Sequence, residues 1–411
     1  MKLEKTYKYL LLLLLFFTNQ VMKSQNLEIP DVNFKNALLN TACADYNGDG
    51  NFTSQVDLNN DDEIQLSEVL AVQGLRVWNQ DIVSIEGIEN FVNLTSLDVT
   101  FNSIETMDIS ALTNLTELLC YGNGLTELDV SSNENLENLY CNENQITELD
   151  VTLNTSLVNL EFYMNNISEI DVTLNLDLET LFCGLNPISE LDVTNNLMLK
   201  GLSMRNTQIS EIDISNNTLL EYIVAENNSI SSIDFSQNLN LLSVYLSNNL
   251  LTEIDVSNNP NVFELIVQSN NLINANFQNG TAFMTYSGLF GNPDLEFICA
   301  DNFEIDDIQA ELDILGYTET QVSDDCGLSV NEFNIINQIN IFPIPFECVL
   351  NVKSNVSIEN IEIFEIKGQT VLDINPSSFD VIIDTKELNT GFYILRIETA
   401  KGVEVRKILK K

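Results

Sequence analysis

Apolar residues recur along the middle of the chain with a period of 21 residues. From Asn93 to Thr281 the sequence divides into nine consecutive units, in which positions 2, 5, 7, 12, 15 and 17 are apolar. Positions 5 and 7 are apolar, whereas positions 6 and 8 are expected to face outward. This alternation has the period of a β-strand. One unit is too small to bury its own apolar side, so neighbouring units must stack. The pattern therefore predicts a solenoid with one strand per unit.

Asparagine occupies position 10 in all of these units except the sixth, where Thr207 stands. A side-chain amide both donates and accepts hydrogen bonds, so stacked asparagines can satisfy backbone groups buried at a turn. We predict a structural column at this position and a local weak point at Thr207. A second asparagine column lies at position 20, from Asn133 to Asn259. The position-10 column consists of Asn102, Asn123, Asn144, Asn165, Asn186, Asn228, Asn249 and Asn270.

Written out, the unit reads LxxLxLxxNxL and strongly resembles the leucine-rich repeat. The resemblance covers about half of the chain and implies a parallel β-sheet on the concave face of the solenoid. Cysteines at position 7 (Cys120, Cys141 and Cys183) stand in an apolar column and are expected to be buried free thiols. Parallel Cβ directions in neighbouring turns are a poor geometry for a disulfide.

Outward-facing positions of this sheet carry aromatic side chains in four successive units, with further ones beyond. Rigid aromatic rings with polar tips suit contacts with proteins or glycans. We predict a face that binds a protein partner; the alternatives are a glycan ligand and a purely structural surface protein stabilised by calcium. The residues of the predicted face are Tyr121, Tyr140, Tyr163, Phe182, Arg205, Tyr222 and Tyr245.

The composition narrows the function further. The chain has no histidine, which excludes Ser-His-Asp triads, Cys-His pairs and histidine zinc sites. A glycosidase needs two suitably separated acids, and no such pair stands out, so we do not expect an enzyme. Between residues 25 and 330 there are 49 Asp and Glu against four Lys and Arg, which argues against nucleic-acid binding. Acidic columns at positions 14 and 16 are expected to be a solvated flank, with weak calcium binding as the alternative.

Residues 1–24 read as a signal peptide. Basic residues precede a short apolar run from Leu10 to Phe17, which is too short for an ordinary membrane span. The mature chain is therefore expected to be exported and to lack a transmembrane segment.

The segment 25–73 is predicted to be a helical cap with acidic loops that resemble the EF-hand. One loop runs from position 57 to 68 and has oxygen-bearing side chains where calcium requires them, although Asp62 replaces the usual glycine at its sixth place. The loop before it has Val56 at its twelfth place and lacks the bidentate acid. We expect calcium here and no other cofactor; an acidic turn-rich linker is the alternative. The candidate ligands are Asp57, Asn59, Asp61, Glu63 and Glu68 in one loop and Asp45, Asn47 and Asp49 in the other.

The predicted repeat region covers 74–281, including an irregular first turn over 74–92. After it, residues 282–330 are expected to form a C-terminal cap and linker with a strand and an amphipathic helix over 297–317. Such a cap hides the open edge of the last repeat. Cys299 and Cys326 flank this segment, and we predict a disulfide between them because the protein is expected to be exported.

Residues 331–411 lose the 21-residue period and read as short alternating strands. The features FPxPF, LNTGFYILRI and the basic ending KILKK resemble the C-terminal sorting domain of type IX secretion cargo, although Ile344 stands where that family usually has asparagine. We predict a small antiparallel β-sandwich; an accessory adhesion or carbohydrate-binding sandwich is the alternative. The resemblance implies interaction with the type IX secretion machinery and a location outside, or on the outer-membrane surface of, a diderm bacterium.

Overall fold

Each 21-residue unit contributes one three-residue strand to a sheet in which eleven strands are hydrogen-bonded side by side. The computed structural model describes residues 25–281, 287–326, 339–365, 367, 369–399 and 402–411. The predicted signal peptide over 1–24 lies outside the described residues. The strands of this sheet are β1 (Ala44–Asp45), β2 (Gly74–Arg76), β3 (Ser96–Asp98), β4 (Glu117–Leu119), β5 (Asn138–Tyr140), β6 (Asn159–Glu161), β7 (Thr180–Phe182), β8 (Gly201–Ser203), β9 (Tyr222–Val224), β10 (Ser243–Tyr245) and β12 (Glu264–Ile266).

The register of the sheet repeats the sequence period. Leu118 pairs with Leu97 on one side and with Leu139 on the other, one unit away in each direction. All neighbouring strands from β2 onward run parallel, whereas β1 runs antiparallel to β2. The apolar columns point inward and form one continuous buried cluster from the N-terminal cap to the C-terminal cap. The predicted leucine-rich-repeat solenoid is therefore confirmed, and the outward side of this sheet is called the concave face below.

A second, four-stranded sheet lies at the C-terminal end of the solenoid, and the sequence pattern does not predict it. Its strands are β11 (Glu253–Asp255), β13 (Asn274–Asn276), β14 (Phe297–Cys299) and β15 (Gln321–Ser323). The E-I-D segment that ends in Asp255 is a strand because β13 of the next turn pairs with it in parallel, and β14 in turn pairs in parallel with β13. The earlier E-I-D segments at 169–171 and 211–213 have the same letters but form no strand.

The N-terminal cap contains the helices α1 (Val32–Asn40) and α2 (Leu66–Val69). Asp31 caps α1 as expected, because its Oδ1 accepts hydrogen bonds from the backbone N–H groups of Asn33 and Phe34. Its Oδ2 accepts from Val83 and Ser84, which fastens the first turn to the cap. Burial alone would raise the pKa of Asp31, but these four donors hold it below the ordinary value.

The C-terminal cap contains a one-turn 3-10 helix (Ser287–Leu289), the strand β14 and the helix α3 (Ile305–Leu315). Another 3-10 helix, Ile88–Asn90, belongs to the first turn. α3 ends at Gly316, which adopts a left-handed φ of 78°. Ile308 and Leu312 of α3 are buried and join the solenoid core. The strand and helix predicted over 297–317 are thus both present.

The chain divides into two units, Met1–Val322 and Ser323–Lys411. The second unit contains β16 (Ile339–Phe342), β17 (Val349–Glu365), β18 (Thr370–Ile374), β19 (Ser378–Asp384), β20 (Gly391–Thr399) and β21 (Gly402–Lys410). These strands form one antiparallel sheet instead of the two separate layers of a sandwich. The reason is β17, whose first part pairs with β16 and β19 and whose last part pairs with β18 and β20.

Candidate functional site

The position-10 asparagines hold the turns of the solenoid together. Asn144 donates from its Nδ2 to the carbonyl of Cys141 in its own turn (3.0 Å) and to that of Cys120 in the preceding turn (3.1 Å). Its Oδ1 accepts from the backbone N–H of Leu125 (3.1 Å). Asn165, Asn186, Asn249 and Asn270 repeat this arrangement. The column therefore satisfies buried backbone groups of two turns at a time, as its spacing predicts.

Thr207 fills the gap in this column incompletely. Its hydroxyl lies within hydrogen-bond distance of two acceptors, the carbonyl of Met204 (3.1 Å) and Oδ1 of Asn228 (2.6 Å). A hydroxyl has one proton, so it serves one of them at a time, whereas an asparagine makes three bonds at this place. The sixth unit is thus the place where the column binds adjacent turns least.

The position-20 asparagines bond differently. Asn154 donates to the carbonyls of Val130 (3.0 Å) and Asn133 (2.9 Å) in the preceding turn. Within the described residues, its Oδ1 and those of six other members of the column are buried without a hydrogen-bond partner. This column therefore works only through its donors and should stabilise each turn less than position 10 does.

The cysteines of position 7 are buried in the core. Cys120, Cys141 and Cys183 are free thiols, and burial raises the pKa of Cys141 and Cys183 to about 12. A thiol with such a pKa is a weak nucleophile and a poor metal ligand near neutral pH. In contrast, Cys299 and Cys326 are both disulfide-bonded.

The predicted aromatic residues lie on the concave face and are half-buried. Tyr140 and Phe182 occupy position 6 of β5 and β7, and Glu161 of the intervening strand lies between them in register. Tyr121 and Tyr163 occupy position 8, which is the next outward-facing position of their own turns. The structure therefore places these four aromatic residues on four consecutive turns, and Tyr140, Tyr163 and Phe182 lie beside a carboxylate that the sequence does not single out.

Glu161 is the electrostatic centre of this group. Burial raises its pKa above the ordinary value. Burial also raises the pKa values of Tyr140, Tyr163 and Tyr222, and for each of them the charge of Glu161 adds to the effect. Among the described residues, no lysine or arginine forms an ion pair with Glu161. The site thus holds a partly desolvated negative charge among aromatic rings, which favours a cation from outside.

Tyr222 joins the group by reaching back across one turn. Its ring lies over the backbone of Gly201, where any Cβ would collide with it. It packs edge-on against Phe182 with 6.2 Å between the ring centroids. Tyr245 lies one strand beyond Val224, and its pKa is raised first by a hydrogen bond with Glu264 and then by burial. Tyr245 is therefore not part of the same group.

The basic residues of the predicted face are already neutralised. Arg205 is exposed, and its Nε lies 3.7 Å from Oε2 of Glu226. Lys200 forms a 2.8 Å ion pair with Glu179. Since these are the two basic residues of the nine units, the face presents net negative charge to a partner.

A further column at position 9, which sequence reasoning misses, adds exposed apolar side chains beside the face. Phe101, Met164 and Leu185 have left-handed φ values of 53°, 58° and 56° and are 49%, 46% and 43% exposed. Left-handed backbone favours glycine and asparagine, and other units have Gly122, Asn206, Asn227 and Asn248 there. The sequence signal was available, because bulky residues stand in a column where asparagine recurs.

The position-9 column contacts the aromatic group directly. The ring of Phe101 packs edge-on against Tyr121, with 5.1 Å between centroids. It lies so close to Gly122 that a side chain there would collide with it. The apolar surface therefore extends from Phe101 to Tyr121 on the concave face.

The loop 57–68 of the N-terminal cap has the backbone of a calcium loop. Its fourth and sixth residues, Asn60 and Asp62, have left-handed φ values of 58° and 64°. The two oxygens of Asp57 accept backbone hydrogen bonds from Asn60, Asp61 and Asp62. The sixth residue thus adopts the required turn although it is not glycine.

The ligand oxygens of this loop are engaged within the protein. The carboxylate of Glu68 accepts from the backbone N–H groups of Leu58, Asn59 and Gln65. A hydrogen bond from the Gln65 side chain is the first cause that holds the pKa of Asp61 below its ordinary value. Across the described residues, no group of three or more histidine, cysteine, aspartate or glutamate side chains is arranged to hold a metal ion. In this conformation the residues present do not fit calcium.

Glu63, the seventh residue of that loop, contributes its carboxylate to an ion pair instead. Its Oε2 lies 2.9 Å from Nζ of Lys35 in α1, so the side chain fastens the loop to the helix.

The preceding loop has a similar backbone, with left-handed φ values at Gly48 and Gly50. Asp45 accepts from the N–H groups of Asn47, Gly48 and Gly50, and Asn47 donates to Asp49. Its twelfth residue, Val56, is fully buried. The candidate ligands Asp45, Asn47 and Asp49 therefore bond one another and their own backbone.

An open groove on the acidic flank is lined by carboxylates of three turns. Asp150 illustrates position 16: it accepts from the N–H of Thr152 (2.9 Å) and from its hydroxyl (2.6 Å). These two bonds lower the pKa of Asp150, while Asp171 of the next turn raises it slightly. The carboxylates of the groove are Glu169, Asp171, Glu190, Asp192, Glu211 and Asp213. Each aspartate is used in its own turn, as a solvated structural flank requires.

Comparison with known proteins gives a family match for the C-terminal part of the chain. Residues 340–411 match the family described as the secretion system C-terminal sorting domain. None of the curated proteins matches the chain. Among the described residues, no helix is long and apolar enough to cross a membrane.

Solved structures of similar fold include internalins of Listeria monocytogenes. Internalin InlF has a TM-score of 0.48 at 20% identity, with 72% of this chain and 88% of that chain covered. The functional domain of InlJ, described as including a cysteine ladder, has a TM-score of 0.35 at 19% identity over 95% and 99%. Internalin C2 has a TM-score of 0.39 at 24% identity over 58% and 94%. At these identities the likeness concerns the fold alone.

Proposed function

We propose that this leucine-rich-repeat solenoid with its type IX sorting domain is a secreted or cell-surface binding protein, and not an enzyme. Its concave face would hold a protein partner. The observation that carries the proposal is the half-buried carboxylate of Glu161 between the rings of Tyr140 and Phe182 on adjacent strands. Because the strands already hold these side chains in place, the side chains lose little conformational entropy when a partner binds. This favours high affinity.

The charge of the face specifies the chemistry of the partner. Lys200 and Arg205 are paired with glutamates of the solenoid itself, so a cation for Glu161 must come from outside. A lysine or arginine side chain between two aromatic rings gains both an ion pair and cation–π contacts. We therefore expect a polypeptide segment with a basic residue flanked by apolar ones. The apolar neighbours would lie against Phe101, Met164 and Leu185.

The sorting domain supports the proposed location. Cargo of the type IX system passes through the outer membrane of a diderm bacterium, and the match over 340–411 supports that route. In the native bacterium, deletion of 340–411 should leave the protein inside the cell, whereas the full chain should reach the surface or the medium. Release of the deleted form in equal amount would contradict this part of the proposal.

A peptide-display library with a central lysine or arginine tests the binding function. We expect the purified protein to select such peptides, and Tyr140→Ala or Phe182→Ala to weaken their binding by roughly thirtyfold each, as truncated anchor residues do. Leu174→Ala is a matched control, since Leu174 is exposed and lies outside the concave face. Equal binding by the face variants and wild type would refute the choice of face.

A glycan ligand is the second candidate, because exposed tyrosine and phenylalanine rings also stack on sugars. Neutral sugars carry no cation, so Glu161→Gln separates the two. Loss of binding in Glu161→Gln supports a basic polypeptide. Selection of glycans but no peptides, with unchanged affinity in Glu161→Gln, supports the glycan.

A further inference from the structure

Gln65 occupies the ninth place of the calcium-like loop 57–68, and its side chain is almost completely buried (5% exposed). Its Nε2 donates to both carboxylate oxygens of Asp61 at 2.9 and 3.0 Å. The same nitrogen lies 3.4 Å from the backbone carbonyl of Glu63. These oxygens stand at the fifth and seventh places of the loop, where calcium would take its ligands.

The oxygen of the same side-chain amide contacts a further ligand place of the loop. Oε1 of Gln65 accepts a hydrogen bond of 2.8 Å from Nδ2 of Asn59, at the third place of the loop. One side-chain amide therefore contacts the third, fifth and seventh places together. An NH₂ group has two partially positive hydrogens, which can neutralise a carboxylate in part and fix its orientation.

The remaining two ligand places are satisfied by the backbone. Asp57 at the first place accepts three N–H groups of the loop, and Glu68 at the twelfth place accepts three more. Asp57 and Glu68 are both buried, at 2% and 6% exposure. Buried carboxylates persist only when such donors compensate their lost hydration.

We infer that the Gln65 amide takes the place of the cation in this loop, so that the N-terminal cap keeps a calcium-loop conformation without a metal ion. Calcium, which the acidic pattern predicts here, would have to displace this buried amide and compete for Asp61 and the Glu63 carbonyl. The cap should therefore be indifferent to chelators, unlike a loop whose oxygens face one another without a donor between them.

Hydrogen exchange of the full-length protein tests this inference at the loop itself. In the wild type, amides of residues 57–68 should exchange at the same rate in excess EGTA and in excess CaCl₂. Glu has the shape of Gln but no side-chain N–H donors, so Gln65→Glu should exchange roughly tenfold faster in EGTA, about the effect of one lost hydrogen bond. Calcium should restore protection in Gln65→Glu, because the new carboxylate leaves the loop in need of a cation.

Two controls make the result specific. Gln145→Glu alters an exposed glutamine of the repeats and should change nothing in the loop. KCl at the ionic strength of the CaCl₂ sample separates calcium binding from screening of the acidic chain. The inference fails if wild-type protection rises in CaCl₂ over EGTA, or if Gln65→Glu matches wild type in EGTA. The wild-type comparison stands alone should the variant not fold.

Discussion

The turns before and after Thr207 have the same backbone conformation but differ in the side chains at the concave face and at position 9. Before it, the position-10 column is unbroken, the concave face carries Tyr140 and Phe182, and position 9 holds bulky residues in left-handed backbone. From the turn of Thr207 onward, position 6 carries Ser203, Val224, Tyr245 and Ile266, and position 9 holds Asn206, Asn227, Asn248 and Ser269. Since both halves fold alike, the bulky and strained residues of the first half are not required by the fold. Strain that the fold does not need is typical of a binding surface.

The largest effect should come from removing one asparagine of the unbroken column. Asn165→Ala deletes bonds to the carbonyls of Cys141 and Phe162 and one from the N–H of Ile146. We expect a loss of about 3 kcal/mol in the free energy of unfolding, because three buried backbone groups lose their partner. Urea unfolding followed by circular dichroism measures it.

The converse variant is Thr207→Asn. It should raise the free energy of unfolding by about 1 kcal/mol, because it completes the position-10 column. Asn175→Ala is the control in the position-20 column, where the side-chain oxygen is unpartnered, and it should cost less than Asn165→Ala. An equal or larger cost for Asn175→Ala would show that the two columns do not differ as their bonds indicate.

The second-largest effect should be a loss of affinity for the peptide partner. Tyr140→Ala should weaken a selected basic peptide by about 2 kcal/mol, or roughly thirtyfold, because it removes one ring beside Glu161. Tyr245→Ala, beyond Thr207 and outside the aromatic group, should change the affinity less than threefold on the scale of peripheral contacts. Isothermal titration gives both values. A larger loss with Tyr245→Ala would move the binding surface into the later turns.

A reciprocal exchange at position 9 tests the cost of the strained backbone. Leu185→Asn should stabilise the protein by about 1 kcal/mol, since asparagine tolerates left-handed φ better than leucine. Asn206→Leu, one turn later at a φ of 54°, should destabilise it by a similar amount. Thermal melting distinguishes the two signs. If binding weakens only in Leu185→Asn, the strain serves the partner.

The smallest effect on stability is expected from Glu161. The pH dependence of unfolding shows whether its side chain stabilises or destabilises the fold. Its folded pKa lies above the ordinary value of 4.5 because burial disfavours the charged form, so the folded protein holds this proton more tightly than the unfolded chain. Its contribution to stability therefore falls as the pH rises from 4.5 through the raised pKa. Glu161→Gln should remove that slope and gain roughly a few tenths of a kcal/mol at neutral pH, since the group is half exposed and screened. Unfolding midpoints across pH 4 to 8, an ordinary titration range for carboxylates, measure it; an unchanged slope would contradict the assignment.

The sequence predicts the solenoid well because its period, its apolar columns and its asparagines each impose the same stacking. Tyr140 and Phe182 follow from strand alternation in the same way. Glu161 does not stand out in the sequence, because its importance comes from its neighbours in adjacent strands, 21 residues away on each side. Gln65 is hidden for a related reason: its letter is ordinary, and only its side-chain conformation brings it to Asp61 and Asn59. The single C-terminal sheet depends on one long strand that pairs with several others, which alternation does not reveal.

The hydroxyl of Thr207, with one proton for two acceptors, has a consequence for mechanical load. Glu161, Tyr140 and Phe182 of the proposed binding face precede this residue in the chain, and the sorting domain follows it. A pull between a bound partner and a tethered C-terminus would run through the sixth turn, where the position-10 column makes fewer hydrogen bonds than an asparagine would make. Under tension the solenoid should part first there, with the turns on each side still folded, and Thr207→Asn should raise the rupture force in single-molecule stretching.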